Sequence, residues 1–360
     1  MREEGTASRS IWTRGRDAAT SGKGCQARVR GLTGAARTRM VAAVQAALYP
    51  GLLALGCAVL MDAWVRLPSA LHPVAWFGKL AQLGIAHAPL ARRGPALTTG
   101  LLLALGLPAL ACGVATGMLW LGARAHIGLS LALQVLVLYA CVCLYGLLDA
   151  ARELDRALDR GLPEARARLS WLCSRDPSEL DEPALVNGAI ESLAENLSDS
   201  VVAPLFYLCC FGLPGAVAYR AINTLDAMIG YRGRYEWLGK AAARLDDVAN
   251  WLPARLTASL LWLAAVSGRR SQQLSLARGL AVWRADRART PSPNGGHPMA
   301  MAAGLLGVRL DKPDCYALGA ELPQPLRADL RRALGLCRRA GLLAFALAGL
   351  WLWKRGGGLV

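Results

Sequence analysis

The chain has ten cysteines and no Cys-x-x-Cys pair. A tetrahedral zinc site and a dithiol redox motif therefore have no sequence support. Cys57, Cys112, Cys141, Cys143, Cys209 and Cys210 lie inside apolar runs, where a thiol acts as a small hydrophobe. No Gly-x-x-x-x-Gly-Lys-Ser/Thr loop occurs, so a P-loop nucleotide site is excluded. Acidic residues are few, 25 against 41 Lys and Arg, for a formal net charge of +16. The arginines sit between apolar spans and no nucleic-acid motif accompanies them. That sets nucleic acid aside in favour of anionic lipid and anionic substrates. Residues 1–39 lack hydrophobic periodicity and the apolar core of a secretory signal. They cannot build a core, and they are expected to form a disordered basic extension.

Apolar sequence is abundant: 54% of the 360 residues, in several long runs. The fold class this predicts is all-α, a polytopic integral membrane helical bundle with cytosolic amphipathic helices and loops. Residues 41–61 read as a first membrane-length segment, which Pro50 either kinks or restarts as a shorter helix; Asp62 closes it. His72 reads as a capping or packing histidine. Residues 95–121 and 127–148 each exceed the roughly 20 residues that a bilayer core requires. Arg124 and His126 turn tightly between them, which predicts an antiparallel hairpin. Residues 149–186 are charged and amphipathic, and Gly161 and Pro163 punctuate two helices there. Residues 201–218 are apolar but carry Pro204, Gly212, Pro214 and Gly215, which predicts a broken or half-inserted helical pair. Such backbone is tolerated at membrane depth only where protein or a water-filled cavity surrounds it. Pro291 to Pro298 reads as a loop, a small-residue helix follows from Met299 to Leu306, and a last apolar run covers 340–353. The basic residues concentrate in 149–186, 219–255 and 267–298, which places these segments in the cytosol.

Residues 187–255 stand apart, because carboxylates, amides and arginines interrupt apolar sequence there at helical spacing. Glu191, Glu195 and Asp199 follow i, i+4, i+8. A helix would put them on one slowly drifting face, where like charges repel unless a cation or basic partner meets them. Tyr219, Asn223, Asp226 and Gly230 form a second stripe, polar where Ala221, Ile222, Leu225 and Ile229 are not. A solvated amphipathic face is the plain reading. Beside membrane-length segments such groups are costly, which favours a functional site.

These blocks carry a resemblance. Glu191-Ser-Leu-Ala-Glu-Asn196, Pro214-Gly-Ala-Val-Ala-Tyr-Arg-Ala-Ile-Asn-Thr-Leu-Asp-Ala-Met-Ile-Gly-Tyr231 and Ala243-Arg-Leu-Asp-Asp-Val-Ala-Asn-Trp-Leu-Pro-Ala-Arg255 resemble signature blocks of the adenosylcobinamide-phosphate synthase family. Its members are the membrane-bound cobalamin-biosynthesis proteins known as CobD or CbiB. The resemblance runs from about Met40 to the C-terminus. It implies one membrane-embedded domain over 40–360, with Met40 as an alternative start and a basic lipid-binding arm as the other reading of residues 1–39. The chain departs from the family pattern at Val65-Arg66-Leu67-Pro68, where the family has Gly-Asp-Pro. Ser174 replaces the glycine of Gly-Arg-Asp, and Met299 stands where the family often has an acid.

The resemblance implies an ATP-dependent amide ligase. It would join adenosylcobyric acid to (R)-1-amino-2-propanol O-phosphate, giving adenosylcobinamide phosphate, ADP and phosphate. ATP and Mg²⁺ are the implied cofactors. The implied partners are the corrinoid, the aminopropanol phosphate, the lipid bilayer and other late enzymes of the pathway. The implied place is the cell (inner) membrane, with the site facing the cytosol. The chemistry needs an activated carboxylate, screened phosphate charge and a base for the attacking amine. Glu191, Glu195, Asp199 and Asp226 are candidate Mg²⁺ ligands, as hard oxygen donors. Arg220, Arg244 and Arg255 are candidates for phosphate or corrin carboxylates, with Arg175, Asn196, Asn223, Asn250 and Asn294 completing the substrate set. Glu195, Asp226 and Asp247 are the candidate catalytic residues, and Asp246, Asp247 or His297 could take the amine proton. Two other readings compete. One is a non-catalytic signalling or transport protein sharing the bundle. The other is a Mg²⁺-dependent enzyme of lipid phosphates, for which Asp246-Asp247-Val-Ala-Asn falls one acid short of Asp-Asp-x-x-Asp.

Overall fold

The computed structural model describes residues 50–173, 176–231, 233–268, 273–356 and 358–359. The expectations for residues 1–39, for Met40 and for Arg175 fall outside them. Within them the chain is a helical bundle. Three stretches are long and apolar enough to cross a membrane: α3 (Arg93–Ala125), the run Glu182–Ile229, and α13 (Arg327–Lys354). A shorter apolar helix, α1 (Pro50–Trp64), precedes them. The apolar run 340–353 is the outer half of α13, which attains spanning length by including its charged N-terminal turns.

α3 and α4 (Ile127–Cys141) form the expected antiparallel hairpin. A single residue, His126, joins them, and its Nδ1 accepts a 3.0 Å hydrogen bond from the Gly128 amide to cap α4. The buried positions of α3 are mostly small, Ala96, Gly100, Ala104 and Ala115 among them. Small residues let neighbouring backbones approach closely where no hydrophobic drive between helices exists. Leu101, Leu102, Leu105, Leu110 and Val114 point outward and are exposed, as a lipid-facing surface requires. His72 caps α2 (Pro73–Ala86), accepting from the Val74 amide.

Residues 127–148 are not one continuous helix. The helix stops at Cys141 and resumes as α5 (Tyr145–Ala157) with a 43° bend. The buried carboxylate of Asp62 causes the restart. It accepts from the amides of Leu144 and Tyr145, both at 2.7 Å, and of Gly146 at 3.3 Å. These are orphan donors at a helix N-terminus, where a carboxylate also meets the positive end of the helix dipole. The Cys143 amide is satisfied across the bundle by the Ser200 carbonyl at 2.8 Å. Gly161, at φ 121°, separates α5 from α6 (Leu162–Leu169), as its position predicts.

α7 (Glu182–Leu197) runs through the centre, packed by α5, α6, α12 (Gly296–Leu306) and α13. It continues through one π turn (Ser198–Val202) into α8 (Ala203–Ile229). The run does not stay straight. Gly212 has φ 70° and ψ −162°, and the chain reverses there. The rings of Tyr207 and Tyr219 stack at 5.2 Å between centroids with planes 12° apart. On a straight helix those residues would stand about 18 Å apart. The broken pair expected over 201–218 is therefore a helical hairpin with its tip at Gly212. Glycine is the residue that adopts such a φ without strain.

The remaining helices are α9 (Lys240–Ala249), packed on α3 and α8, α10 (Trp251–Gly268), packed on α13, α11 (Leu276–Asp286) and the fully buried α12. One small element departs from an all-α fold. β1 (Leu310–Lys312) pairs antiparallel with β2 (Tyr316–Leu318). Asn187 of α7 pins this hairpin, its Nδ2 donating to the Asp311 carbonyl at 2.8 Å and to Oδ1 at 2.7 Å.

Candidate active site

The polar stripes of the sequence meet inside the protein. At the end of α7 Glu195 precedes the π turn, and Asp199 sits within it. A single π turn shifts the register of the following residues and recurs at functional sites. The returning limb of α8 carries Tyr219, Asn223 and Asp226 against α9. Tyr219 Oη donates to Asn250 Oδ1 at 2.8 Å, Asn250 Nδ2 donates to Asp246 Oδ2 at 2.9 Å, and Asn223 Nδ2 donates to Asp246 Oδ1 at 3.4 Å. Tyr207 Oη donates to the Ala249 carbonyl at 3.0 Å. The stripe is thus an interior network and not a solvated face.

The loop before α12 closes the site from the other side. Asn294 is buried, and its Nδ2 donates to the Asp247 carbonyl at 2.7 Å. Arg244 and Asp247 approach at 3.6 Å. Gly295 lies so near Glu195 that a Cβ there would stand 2.7 Å from Oε1. Any larger residue would move the carboxylate or the loop. Around these groups opens a cleft of about 810 Å³. Glu195, Asp199, Asp226, Glu236, Asp246 and Asp247 line it, with Lys240, Arg244 and Lys312 as its cations and Asn250 and Asn294 as its amides.

The structure therefore gathers Glu195, Asp199, Asp226, Arg244, Asp247, Asn250 and Asn294 around one space. Asn223 stands behind it, holding Asp246. Glu191 is buried in α7, and neither it nor Asn196 lines the cleft. Arg220 is half-buried near His72 and Cys143, outside the lining, and among the described residues its Nε has no hydrogen-bond partner. Arg255 and His297 line a neighbouring cleft of about 860 Å³, together with Arg244, Arg287 and Trp283. Sequence reasoning missed Lys312, Glu236, Lys240 and Arg287. Lys312 arrives on the β-hairpin, and no local pattern links that hairpin to α7.

Burial raises the pKa of Asp246 above the usual carboxylate range, against the hydrogen bonds from Asn250 and Asn223. Burial also raises Asp247, against the Arg244 charge and the Ser292 hydroxyl. His297 is pushed down to about 4, by burial first and then by the charges of Arg255 and Arg287. Among the described residues neither Glu195 nor Asp226 forms an ion pair, so pairing with Arg220 or Arg244 does not account for them. No group of three or more His, Cys, Asp or Glu among the described residues converges as a ready-made metal cage. Mg²⁺ usually takes one or two carboxylates, with waters and substrate phosphates completing the octahedron. The oxygen donors around this cleft fit that mode.

Comparison with known proteins points the same way as the motifs. Residues 55–337 match the family described as CobD/Cbib protein. The chain is 39% identical over 278 residues to the cobalamin biosynthesis protein CobD of Dehalococcoides mccartyi, covering 77% of this chain and 89% of that protein. It is 40% identical over 290 residues to CobD of Photorhabdus laumondii, covering 78% and 88%. Against CobD of Rhodobacter capsulatus it is 41% identical over 283 residues, covering 75% and 85%. No solved structure matches the chain.

Proposed function

The chain belongs to the CobD/CbiB protein family of cobalamin biosynthesis, and on that basis we propose that it is an adenosylcobinamide-phosphate synthase. In this reading it joins the carboxylate of adenosylcobyric acid to the amine of (R)-1-amino-2-propanol O-phosphate, with ATP as the energy source. The observation that carries the reading is the cleft at the broken helix, where half-buried acids face cations and amides. A ligase of this kind must handle phosphate charge and an ammonium group in one place. Mg²⁺, when bound, would supply neutralisation of phosphate charge, and one or two carboxylates from among Glu195, Asp199 and Asp226 would hold it, with water and substrate phosphate completing its ligands.

The chain's own groups do the rest. Lys240, Arg244 and Lys312 offer donors to phosphate oxygens from the rim of the cleft. Asp247 takes the proton of the attacking amine. Its raised pKa brings it nearer the working pH, where a base combines the right charge state with useful basicity. Asp246 is committed to Asn250 and Asn223, so it orients α9 and is not a second free base. That commitment also argues against the lipid-phosphate reading, which needs both aspartates free for metal. The Arg and Lys residues of the loops around the cleft favour a cytosolic face at the inner membrane, where nucleotide is available.

The test is ADP release by the purified, detergent-solubilised protein. ADP is expected only when the corrinoid and the aminopropanol phosphate are both present. ADP release that ignores the corrinoid, or none with both substrates and Mg²⁺ present, would overturn the proposal and leave the signalling or transport reading in its place.

A further inference from the structure

The second cleft has a different chemistry. It lies between α9, α10, α11 and the start of α12, and measures about 860 Å³. Arg244, Arg255 and Arg287 line it, and among the described residues no Asp or Glu does. Two of these guanidiniums are fixed in place by stacking. Arg255 lies 4.3 Å from the centre of the Trp251 ring and donates to the Trp251 carbonyl. Arg287 lies 4.9 Å from the Trp283 ring and donates to the Arg284 carbonyl at 2.6 Å. Arg255 also reaches Asn294 Oδ1 at 3.5 Å. Of the three, Arg244 alone has a carboxylate nearby among the described residues, Asp247 at 3.6 Å. Burial and the neighbouring Arg287 charge lower the proton affinity of Arg255, as expected for cations held together without a counter-charge.

Two further polar atoms are buried in the wall of the same cleft. His297 is 5% exposed, lines the cleft, and among the described residues its Nδ1 has no hydrogen-bond partner. Trp283 also lines the cleft, packs against His297 at 5.7 Å, and its Nε1 is buried with no acceptor among the described residues. Like charges gathered without a counter-charge destabilise a fold unless an anion meets them.

We propose that this cleft is an anion seat for a phosphate monoester dianion, gripped by Arg255 and Arg287, with Arg244 on the wall it shares with the acidic cleft. Guanidinium forks match the oxygens of a phosphate, and several of them suit a dianion better than a single carboxylate. The phosphate could belong to the aminopropanol substrate or to the terminal phosphoryl group of a nucleotide. The small monoester is the occupant we assign, because Arg244 would then lie between its phosphate and an ammonium at Asp247. That assignment of occupant rests on the ligase reading above; the seat itself does not.

The experiment is equilibrium binding of inorganic phosphate to the full chain in detergent, without corrinoid. Wild-type protein is expected to bind phosphate saturably. Arg287→Gln should weaken binding at least ~10-fold, and Arg287→Lys should recover part of the loss. Arg255→Gln is the second variant should Arg287→Gln fail to fold. Arg331→Gln removes a positive charge on α13 elsewhere and should leave binding unchanged. Aminopropanol phosphate should displace phosphate, and ADP should not; displacement by ADP alone overturns the assigned occupant. Absence of saturable binding, or equal affinity in wild type and both arginine variants, overturns the seat. Arginine-dependent phosphate binding without corrinoid-dependent ADP release would keep the seat and remove the ligase reading.

Discussion

Two clefts share one wall and differ in how their charge is balanced. The acidic cleft answers its own carboxylates: Asp246 accepts from Asn250 and Asn223, and Asp247 lies near Arg244. The basic cleft has aromatic faces under its cations and, among the described residues, no acid in its lining. Their origins differ as well. Asp199 sits in the π turn between α7 and α8, Glu195 just before it and Asp226 on the limb that returns from Gly212, while Asp246 and Asp247 sit on the regular helix α9. Arg255 and Arg287 sit on or next to regular helices, α10 and α11, that pack against α12. The lesson is that the acidic cleft draws on the broken α7–α8 run as well as on α9, whereas the basic cleft is assembled from intact helices and the loop before α12.

Glu195→Gln and Asp226→Asn test the acidic side most directly. Each keeps the size of the side chain and removes its charge. Turnover should fall by roughly 10- to 100-fold, and the Mg²⁺ for half-maximal rate should rise, with membrane insertion unchanged. Reduced thermal stability in detergent with an unchanged Mg²⁺ requirement would take both residues out of the site.

Gly212→Ala separates the two clefts. A Cβ there would lie 2.6 Å from the Leu359 carbonyl, at a φ that disfavours any L side chain. The expected cost is about 1–3 kcal/mol, read as a lower melting temperature in detergent. Ligase turnover should fall because the limb carrying Asp226 shifts, while phosphate affinity at Arg255 and Arg287 holds. Equal loss of both would show that the clefts are not independent.

The pH dependence of stability bears on the basic side. His297 has its pKa in the folded protein pushed from 6.5 down to about 4. Between those values the unfolded chain binds a proton that the folded chain refuses. Stability is therefore full above pH 6.5 and is lost as pH falls toward 4. His297→Gln should flatten the melting temperature over that window, and an unchanged pH profile in the variant would contradict the assignment. The smallest effect belongs to the surface. Arg331 pairs with Asp155 at 3.0 Å but is 60% exposed. Arg331→Gln should change stability by under ~1 kcal/mol, in line with other exposed ion pairs, as chemical unfolding would measure.

What was legible in the amino-acid sequence is what is local. Apolar length marked α3 as a span. His126 marked the α3–α4 turn and Gly161 the α5–α6 break. The spacing of Tyr219, Asn223 and Asp226 predicts one polar stripe, because a helix repeats every 3.6 residues whatever surrounds it. The signature blocks pointed to the family, since long ordered matches carry more information than composition. The partners those stripes meet were settled by packing alone. Gly212 permits a reversal but does not demand one, so stacking of Tyr207 on Tyr219 could not be read from spacing. Asp62 restarts a helix 82 residues away at Leu144, and Ser200 completes the same break through Cys143. Lys312 reaches the acidic cleft on a hairpin pinned by Asn187, and Arg255 joins Arg287 across two helices. Each of these pairings joins groups far apart in sequence, and such contacts form only when packing brings them together.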